Sequence, residues 1–426
     1  MATIVKLSVA PTTINKRSIA MAQTQAEPLL QGIKVLELAT FVFGPGCGAV
    51  LSDFGADVVK IESPGAGDPM RHAHKSPPFM PLDFPYLWQQ DNRNKRSIAL
   101  DMKSPEGYDI LLKLVGQADV LLTNFPPKVL EKLKIRYEDL RVENDRLIYA
   151  QITGYGENGD DANTPGFDGN AYWARTGLMD IVRTAESDPT LPALAMGDHP
   201  SAMTMYAAIM TALYRRERCG KGTKVYSSLM ANGLWAGASN LSGVLAGTKP
   251  AKRMNPSRPG NALVNHYRTK DDRWLSIIVL QEEKNWPKFI KAINRPDLQE
   301  DSRFSEIGAR HKNGRELAPI LREVFVQHTC EEWRARLKAH DITFSVVATF
   351  EEVVDDPQAL LNDMIIDVEG HTAGRGQQIN SPFWVVGADK VPAKVGPELG
   401  ANGREILSEM GIPSGEIEAL VSRGII

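Results

Sequence analysis

The turn Gly44-Pro45-Gly46-Cys47-Gly48 follows an apolar run and precedes a helical stretch, an arrangement that can present backbone N–H groups to a phosphate. Pro45 removes one of these donors, and the spacing is not the G-x-G-x-x-G of dinucleotide-binding turns. Cys219-Gly-Lys-Gly-Thr223 resembles half of a P-loop, but it follows a predicted helix and precedes a strand, the reverse of the required order. The glycine-rich segments alone therefore predict turns, the second of them a helix stop, and do not identify a nucleotide site.

The histidine and cysteine residues offer no familiar catalytic or metal-binding spacing. The eight histidines form no H-E-x-x-H and no pattern of two histidines with a carboxylate, and the sequence contains no G-x-S-x-G. The three cysteines, Cys47, Cys219 and Cys330, are odd in number and far apart in the chain. We therefore predict no metal site, no disulfide framework and a reduced, cytoplasm-like compartment.

Apolar runs that alternate with helical stretches must position any functional residues. The runs lie at 35–38, 58–61, 120–122 and 147–153, and helical stretches follow the first run and occupy 104–115 and 129–133. This alternation indicates an α/β fold with a doubly wound parallel sheet, in which ligands bind beyond the carboxyl ends of the strands. Apolar residues at helical spacing over 202–218, ending in basic residues before Gly220, predict a further helix.

The length of 426 residues and the hydrophobic content of 42% favour two domains over one. We interpret a basic, proline-containing stretch at 252–259 as a connection to a smaller α+β domain. We divide the chain into an N-terminal extension, a large Rossmann-like domain, a linker with the small domain, and a return to the large domain, at residues 1–27, 28–225, 226–334 and 335–426. Composition and motifs alone reach no further than a two-domain α/β protein that binds a ligand.

Overall charge and the N-terminal residues bear on partners and location. A formal charge of −3, from 49 basic and 52 acidic side chains, provides no basic field for nucleic acid. The sequence has no run of about 18 apolar residues that would span a membrane. Residues 1–26 contain three basic residues and no acidic one, as a mitochondrial presequence does, although Met21 is an alternative start. We expect a cytoplasmic protein, or a mitochondrial matrix protein if this segment is a presequence.

Four segments, in their order and spacing, resemble the class III CoA transferases, a family that shares its fold with α-methylacyl-CoA racemases. They are GIKVLELATFVFGPGCGAVLSDFGADVVKIESPGAGDPMR, NRNKRSIALDMKSPEG, DVLLTNFPPKVLEKL followed by LIYAQITGYGENG, and MGDHPSAMTM. The resemblance runs from about Leu30 to Arg218 and continues more loosely to the C-terminus. It implies acyl-CoA and carboxylic acids as substrates, no permanently bound cofactor, and an interlocked homodimer.

In this family the catalytic carboxylate is the Asp of a G-D-x-x-[SAT]-[GA]-M segment that opens a helix. The resemblance assigns that role to Asp198, within residues 197–203. Such a carboxylate attacks the acyl-CoA thioester, and CoA thiolate converts the resulting mixed anhydride into an aspartyl-CoA thioester. A helix N-terminus would favour the ionised carboxylate. By residue type alone an Asp that opens a helix is first of all an N-cap, and the family resemblance is what reverses that interpretation.

A second acidic residue, Asp168, resembles the carboxylate that lies near the nucleophile in the transferases, where it has an orienting role. In the racemase branch a His precedes this Asp, and it exchanges protons together with the residue that corresponds to Asp198. Phe167 stands in the position of that His and cannot carry a proton, so the resemblance favours a transferase. After Pro165 and Gly166, Asp168 is equally interpreted as a turn residue. The remaining alternatives are an acyl-CoA racemase or isomerase and a non-catalytic CoA-binding protein.

The resemblance also implies a binding site for CoA. The nucleotide is expected along the loops that follow the first strands, beside Phe41, Leu100, Lys103, Asn124 and Phe125. The candidate partners of its phosphates are Arg71, Lys95 and Arg96. Taken singly, each of these three cations is more often a solvated surface charge.

Departures from the formyl-CoA branch bear on the substrate. That branch has a Gln in the first turn, an Arg soon after the second strand and a run of glycines that closes over the site. This chain has Val42, Ser63 and the segment PSRPGNALVNHYRTKD in their places. We therefore do not expect oxalate or formate as substrates.

The segment that begins at Phe167 looks more like the branch that acts on 2-hydroxy acids, aryl-lactates and cinnamoyl-type acids. Together with Val42, Tyr172 and Trp173 would wall an acyl pocket, and Arg175 would meet a carboxylate. Tyr172 and Trp173 are equally interpreted as core residues, because neighbouring aromatics in a helical stretch commonly pack inside.

Overall fold

The computed structural model describes residues 27–77, 79, 81–249, 253, 255–257 and 259–426. The candidate presequence, residues 1–26 of the predicted N-terminal extension, lies outside these ranges. The choice between a cytoplasmic and a mitochondrial location therefore stays a prediction. Among the described residues, no helix combines the length and the apolar character that crossing a membrane requires.

Six parallel strands form one sheet, in the order β3-β2-β1-β4-β5-β6. The strands are β1 (Lys34–Leu38), β2 (Asp57–Glu62), β3 (Arg96–Ala99), β4 (Val120–Thr123), β5 (Ile148–Thr153) and β6 (Thr223–Ser228). The prediction of an α/β fold with a parallel sheet is confirmed, and β3 is a strand that the apolar runs did not indicate. The strand order reverses between β1 and β4, and ligands of such sheets bind outside the carboxyl ends of the strands at this point.

Helices cover both faces of this sheet. Those up to Cys219 are α1 (Phe43–Asp53), α2 (Met70–Ala73), α3 (Tyr86–Asn92), α4 (Pro105–Gln117), α5 (Pro127–Leu133), α6 (Tyr137–Leu140), α7 (Leu178–Ile181) and α8 (Asp198–Cys219), with a 3₁₀ turn at Asp160–Asn163 and a π-helical turn at Asp168–Ala174. Val35 and Ile148 pack with α1 and α8, whereas Leu36 and Tyr149 pack with α4. Because successive strand residues point to opposite faces, one sheet supports two cores.

Helix α8 carries the candidate nucleophile, and the sequence explains where it lies. Ala202, Met205 and Ile209 recur at helical spacing and are buried against the sheet. The helix is capped by Gly220, whose φ of +73° is the left-handed conformation that glycine adopts readily. The predicted helix is confirmed, and it extends forward to Asp198.

A smaller unit with its own core follows β6. Helices α9 (Leu229–Ala236) and α10 (Ala238–Leu245) come first, and Leu229 of α9 is buried in the core of the large sheet. The elements of the smaller unit are β7 (Val264–Arg268), β8 (Trp274–Ile278), α11 (Glu282–Ile293), α12 (Asp297–Glu300), α13 (Ile307–Lys312), α14 (Gly314–Phe325), α15 (Cys330–Ala339) and β9 (Phe344–Val346). Strands β7, β8 and β9 form an antiparallel sheet, against which Trp286, Phe289 and Trp333 are buried. The predicted boundary at residue 334 falls inside α15, and β9 pairs with β8, so this α+β unit continues to Val346.

The elements that follow β9 end in two helices that pack on the large sheet. These elements are α16 (Phe350–Val353), α17 (Pro357–Leu361), β10 (Ile365–Asp367), β11 (Gln377–Ile379), α18 (Gly403–Glu409) and α19 (Ser414–Ser422). Strands β10 and β11 form an antiparallel pair. Helices α18 and α19 place Ile406, Leu407 and Leu420 in the core on the α4 face of the large sheet.

Candidate active site

Asp198 is the first residue of α8, and it lines a cleft at the carboxyl ends of β1, β4 and β5. Gly197 occupies the N-cap position, so Asp198 is not the capping residue. The cleft is lined by residues 40, 41, 43, 124–127, 152–154, 162–167, 198 and 229. A partly buried carboxylate therefore faces the switch point of the sheet, where open parallel sheets bind their ligands.

Two loops bring aromatic side chains to this cleft. Thr40 N donates to Asn124 Oδ1 at 3.1 Å and Asn124 Nδ2 donates to Thr40 O at 2.7 Å, which ties the loop after β1 to the loop after β4. Phe41 has a φ of +65°, a conformation that costs a non-glycine residue energy, and its amide donates to Asp68 Oδ1 at 3.2 Å. The Phe41 ring meets the Phe167 ring edge-on at 5.3 Å. The cleft thus brings together the predicted residues Phe41, Asn124, Phe125, Phe167 and Asp198.

Asp168 fixes the backbone immediately before the candidate nucleophile. Its Oδ1 and Oδ2 accept hydrogen bonds from Gly197 N at 3.1 and 3.2 Å. A Cβ atom at position 197 would lie 2.3 Å from Asp168 Oδ1 and 2.5 Å from Tyr172 Cγ, so only glycine fits between them. The contact gives Asp168 a structural basis for the orienting role that the family resemblance implies.

The predicted acyl-pocket residues are only partly found at the cleft. Tyr172 is buried in the core with Ala202, and Trp173 packs against the same core. Arg175 is half exposed and forms an ion pair with Asp161 at 3.0 Å. Tyr172 and Trp173 therefore fit the interpretation as core residues. The Arg175 guanidinium is already paired with the carboxylate of Asp161.

The charge state of Asp198 depends on its neighbours. The pKa of Asp198 is raised to about 7, first by burial and then by the negative charges of Asp168 and Asp91, while His199 acts in the opposite direction. Burial also raises the pKa of Asp168, and the hydrogen bond from the Gly197 amide opposes that rise. The Asp198 carboxyl therefore titrates near neutral pH instead of in the usual acidic range of an aspartate.

His199 and Asp91 form a hydrogen-bonded pair next to Asp198 in the chain that the sequence did not predict. His199 Nε2 lies 3.0 Å from Asp91 Oδ1, and both residues line a cavity next to the buried, predicted pocket residue Val42. Burial lowers the pKa of His199, but the hydrogen bond to Asp91 and the charges of Asp91 and Asp198 raise it above its usual value. The position of His199 directly after Asp198 was the signal by which the sequence could have indicated it. Asp91 lies 108 residues before His199, and no sequence pattern connected it to the site.

Two predicted phosphate partners are committed to buried ion pairs instead. Lys95 Nζ lies 2.7 Å from Glu37 Oε2. The Arg71 guanidinium donates to both carboxylate oxygens of Glu62, at 2.8 and 2.7 Å, and stacks on the Trp88 ring. Binding a phosphate would break pairs that are already desolvated and would leave a buried carboxylate uncompensated. We therefore correct the prediction and remove Lys95 and Arg71 from the candidate CoA site.

Arg96, Leu100 and Lys103 are not among the residues that line the cleft in the described part of the chain. Arg96 opens β3 at the opposite, amino end of the sheet and pairs with Asp57 at 2.6 Å and Glu409 at 2.9 Å. Leu100 is buried in the core on the α4 face. Lys103 follows β3 and is exposed. Arg96 and Leu100 are therefore removed from the candidate CoA site as well, because one is paired at the far edge and the other is packed inside.

Comparison with known proteins identifies the family. Residues 30–403 match the model of CoA-transferase family III. The chain is 33% identical over 387 residues to (R)-2-hydroxy-4-methylpentanoate CoA-transferase of Clostridioides difficile, covering 90% of this chain and 96% of that protein. It is also 33% identical over 402 residues to cinnamoyl-CoA:phenyllactate CoA-transferase of Clostridium sporogenes, covering 92% and 96%. A solved structure of a CAIB/BAIF family protein from Brucella suis matches with a TM-score of 0.81 at 30% identity, covering 90% and 100% of the two chains.

The chain belongs to CoA-transferase family III. The family resemblance predicted from the four segments is confirmed, and the protein is an enzyme of the class III CoA-transferase type. The alternative of a non-catalytic CoA-binding protein is set aside. Family membership supports transfer of CoA between an acyl-CoA and a carboxylic acid.

Proposed function

We propose that this family III CoA transferase works through a covalent intermediate on Asp198. A carboxylate oxygen of Asp198 attacks the thioester carbonyl, the C–S bond breaks, and CoA leaves as the thiolate. The thiolate then attacks the Asp198 carbonyl of the mixed anhydride, which releases the donor acid and leaves an aspartyl-CoA thioester. The acceptor carboxylate repeats the two steps in reverse, so no proton, electron or cofactor is consumed.

The observation that carries this proposal is the position of Asp198. Its side chain is partly buried, lies at the carboxyl ends of the strands, and faces an open cleft that a thioester can enter. Partial burial strips water from the carboxylate, which raises its basicity and its nucleophilicity. The amide of Gly197, held by Asp168, fixes the direction in which Asp198 leaves the backbone.

The pantetheine arm of CoA would lie between the two tied loops of the cleft. Phe41 and Phe125 offer apolar walls, and Asn124 fixes the loop spacing through its contacts with Thr40. Lys103, which is exposed after β3, remains the candidate phosphate partner among the predicted cations. Phe41→Ala is expected to raise KM for acyl-CoA severalfold with a smaller change in kcat, measured by steady-state kinetics. An unchanged KM would contradict this placement.

Trapping of the intermediate tests the proposed chemistry. Incubation with acyl-CoA and hydroxylamine, or with borohydride, should modify Asp198 in the wild type, and peptide mass spectrometry should locate the change. Asp198→Asn is expected to lower kcat by at least about a thousandfold and to abolish the modification. Asp341→Asn is the matched control, because that carboxylate is 84% exposed and lies in the small domain. Turnover by Asp198→Asn at the wild-type rate would refute the proposal.

The cleft and the relatives both support a proposal for the substrate class. The two relatives described above are named for 2-hydroxy-4-methylpentanoate and for cinnamoyl and phenyllactate groups. The exposed Phe167 ring beside Phe41 offers an apolar contact to a branched or aromatic acyl chain. We therefore propose a 2-hydroxy or aromatic carboxylic acid as one substrate. A screen of carboxylic acids against acetyl-CoA and succinyl-CoA, followed by mass spectrometry, should rank such acids above oxalate and formate.

Racemase activity is the alternative that this site disfavours. Phe167 provides no proton-transferring group, so two-base exchange at the α-carbon would lack a partner for Asp198. The enzyme should therefore incorporate no solvent deuterium at C2 of a chiral 2-methylacyl-CoA. Incorporation at a rate comparable to CoA transfer would favour the racemase.

An interlocked homodimer is the proposed assembly. Trp235, Leu245, Phe350 and Val386 are large apolar side chains that are at least 81% exposed in the single chain. Such exposure is costly unless another surface covers it. Sedimentation analysis should show a dimer that persists at nanomolar concentration. A stable monomer with full activity would contradict this assembly.

A further inference from the structure

We propose that His199, oriented by Asp91, is a positioning cation that keeps the Asp198 carboxylate ionised. The inference rests on the proposed role of Asp198 as the nucleophile and adds a determinant for the charge on that nucleophile. His199 is adjacent to Asp198 in α8, whereas Asp91 belongs to α3. The three side chains therefore join two helices at one end of the candidate site.

The geometry holds His199 at two points. Its Nε2 lies 3.0 Å from Asp91 Oδ1, and its backbone amide donates to Ala195 O at 3.1 Å. Ala195 has a φ of +65°, so the loop before α8 is held in a conformation that costs a non-glycine residue energy. Asp91 is 3% exposed, and its helix is anchored by the fully buried Trp88. The imidazole of His199 is therefore held in place by a carboxylate that has little freedom to move.

The charges around the pair determine its effect. The pKa of Asp198 responds to the charges of the Asp168 and Asp91 carboxylates and of the His199 imidazole. The pKa of His199 responds to Asp91, to Asp198 and to the guanidinium of Arg93. Arg93 is neutralised by Asp53, to which it donates at 2.8 and 2.7 Å.

A third cation, Lys95, interacts with Asp91 and is not among the groups that shift the pKa of Asp198. The charge of Lys95 interacts with Asp91, but its ammonium is held by Glu37 at 2.7 Å. Within this set, the imidazolium of His199 is the group whose positive charge opposes the two carboxylates next to Asp198. Loss of that charge would leave a partly buried carboxylate beside two anions. The pKa of Asp198 would then rise, and its ionised, nucleophilic fraction would fall at neutral and acidic pH.

The pH profile of His199→Asn tests this role. Asparagine can still hydrogen-bond to Asp91, so the substitution removes the charge and keeps a polar contact. Because the pKa of the nucleophile rises, the acidic limb of kcat/KM should move to higher pH. We expect a loss of about tenfold at pH 6 and of less than about twofold at pH 9. His266→Asn, on the exposed face of β7, is the matched control and should leave the profile unchanged.

A second substitution separates charge from structure. In Asp91→Asn/His199→Asn one carboxylate next to Asp198 is also removed, so the acidic limb should move back toward that of the wild type. A merely structural role predicts that the double variant is no better than the single one. An equal loss of kcat/KM at every pH, or a double variant without recovery, would overturn the inference.

Adduct formation distinguishes the failure of this inference from the failure of the proposed function. If His199→Asn forms the acyl adduct at Asp198 but its acidic limb does not move, the role of His199 is refuted while the nucleophile stands. If the wild type forms no adduct on Asp198 during turnover, the proposed function itself fails. Thermal unfolding of each variant establishes that the compared proteins are folded.

Discussion

Gly197→Ala is a small change at the point where the site is most crowded. The φ of −99° at Gly197 suits any residue, so the backbone itself does not oppose alanine. The new methyl group would lie 2.3 Å from Asp168 Oδ1 and 2.5 Å from Tyr172 Cγ, where ordinary contacts begin near 3.4 Å. Asp168 and Tyr172 are both buried, so neither can move into solvent. Something must therefore shift by about 1 Å.

The size of the effect follows from what that shift disrupts. If Asp168 moves away, the buried Gly197 amide loses its acceptor, which costs about 1–3 kcal/mol. Crowding against Tyr172 adds a strain of similar size, about 1–3 kcal/mol. We expect the free energy of unfolding to fall by about 2–6 kcal/mol in total. A displacement of this size at Asp198 should also lower kcat/KM about a hundredfold.

Urea denaturation and steady-state kinetics at pH 8 measure the two effects separately. Gly116→Ala is the control, because a methyl group there meets no atom within 4 Å and alanine favours the α4 helix. That variant should be as stable as the wild type or more so, and fully active. If Gly197→Ala is equally stable and active, Asp168 and Gly197 do not position the nucleophile as described.

Charge and burial lead to three more expectations. Because Asp198 must be ionised to attack, kcat/KM of the wild type should fall about tenfold per pH unit below pH 7, and a flat profile would contradict this. The pKa of the Asp198 carboxyl is higher in the folded protein than in the unfolded chain. The free energy of unfolding of the wild type therefore falls as the pH rises from the unfolded-state pKa of this carboxyl through 7. Asp198→Asn should therefore be more stable than the wild type at pH 8, by about 1–2 kcal/mol in urea denaturation, and a less stable variant would count against the burial argument. Lys95→Met should lose about 3–5 kcal/mol of stability without raising KM for acyl-CoA, and a stable variant with a raised KM would restore Lys95 as a phosphate partner.

The sequence predicted the parts of the fold that depend on local pattern. Strands β1, β2, β4 and β5 are apolar runs buried on both faces, and they were found. Strand β3 is only four residues long and begins with Arg96, so it forms no apolar run from which a strand could be predicted. The boundary at residue 334 was placed too early because the pairing of β9 with β8 joins residues about 70 positions apart, which no local pattern reveals.

The candidate site divides in the same way. Phe41, Asn124 and Asp198 converge because each follows a strand or opens a helix at one edge of a parallel sheet, and that rule can be applied to a sequence. Lys95 and Arg71 resembled free surface cations because their partners, Glu37 and Glu62, are brought to them by the packing of β1 and β2. Asp91 was not predicted for the same reason, because packing brings it to His199 from a distant segment. Sequence patterns therefore did not predict the polar pairs that form between distant segments of this chain.

Oxygen-isotope transfer tests the central claim most directly. When an acceptor acid labelled with ¹⁸O in its carboxylate attacks the aspartyl-CoA thioester, one of its oxygens bridges the mixed anhydride and stays with Asp198 after the product leaves. Peptide mass spectrometry should therefore find heavy oxygen in the Asp198 side chain after turnover, and none in Asp341 of the same sample. Formation of acyl-CoA product without label in Asp198 would show that the acceptor attacks the donor thioester directly, and the covalent role of this carboxylate would be refuted.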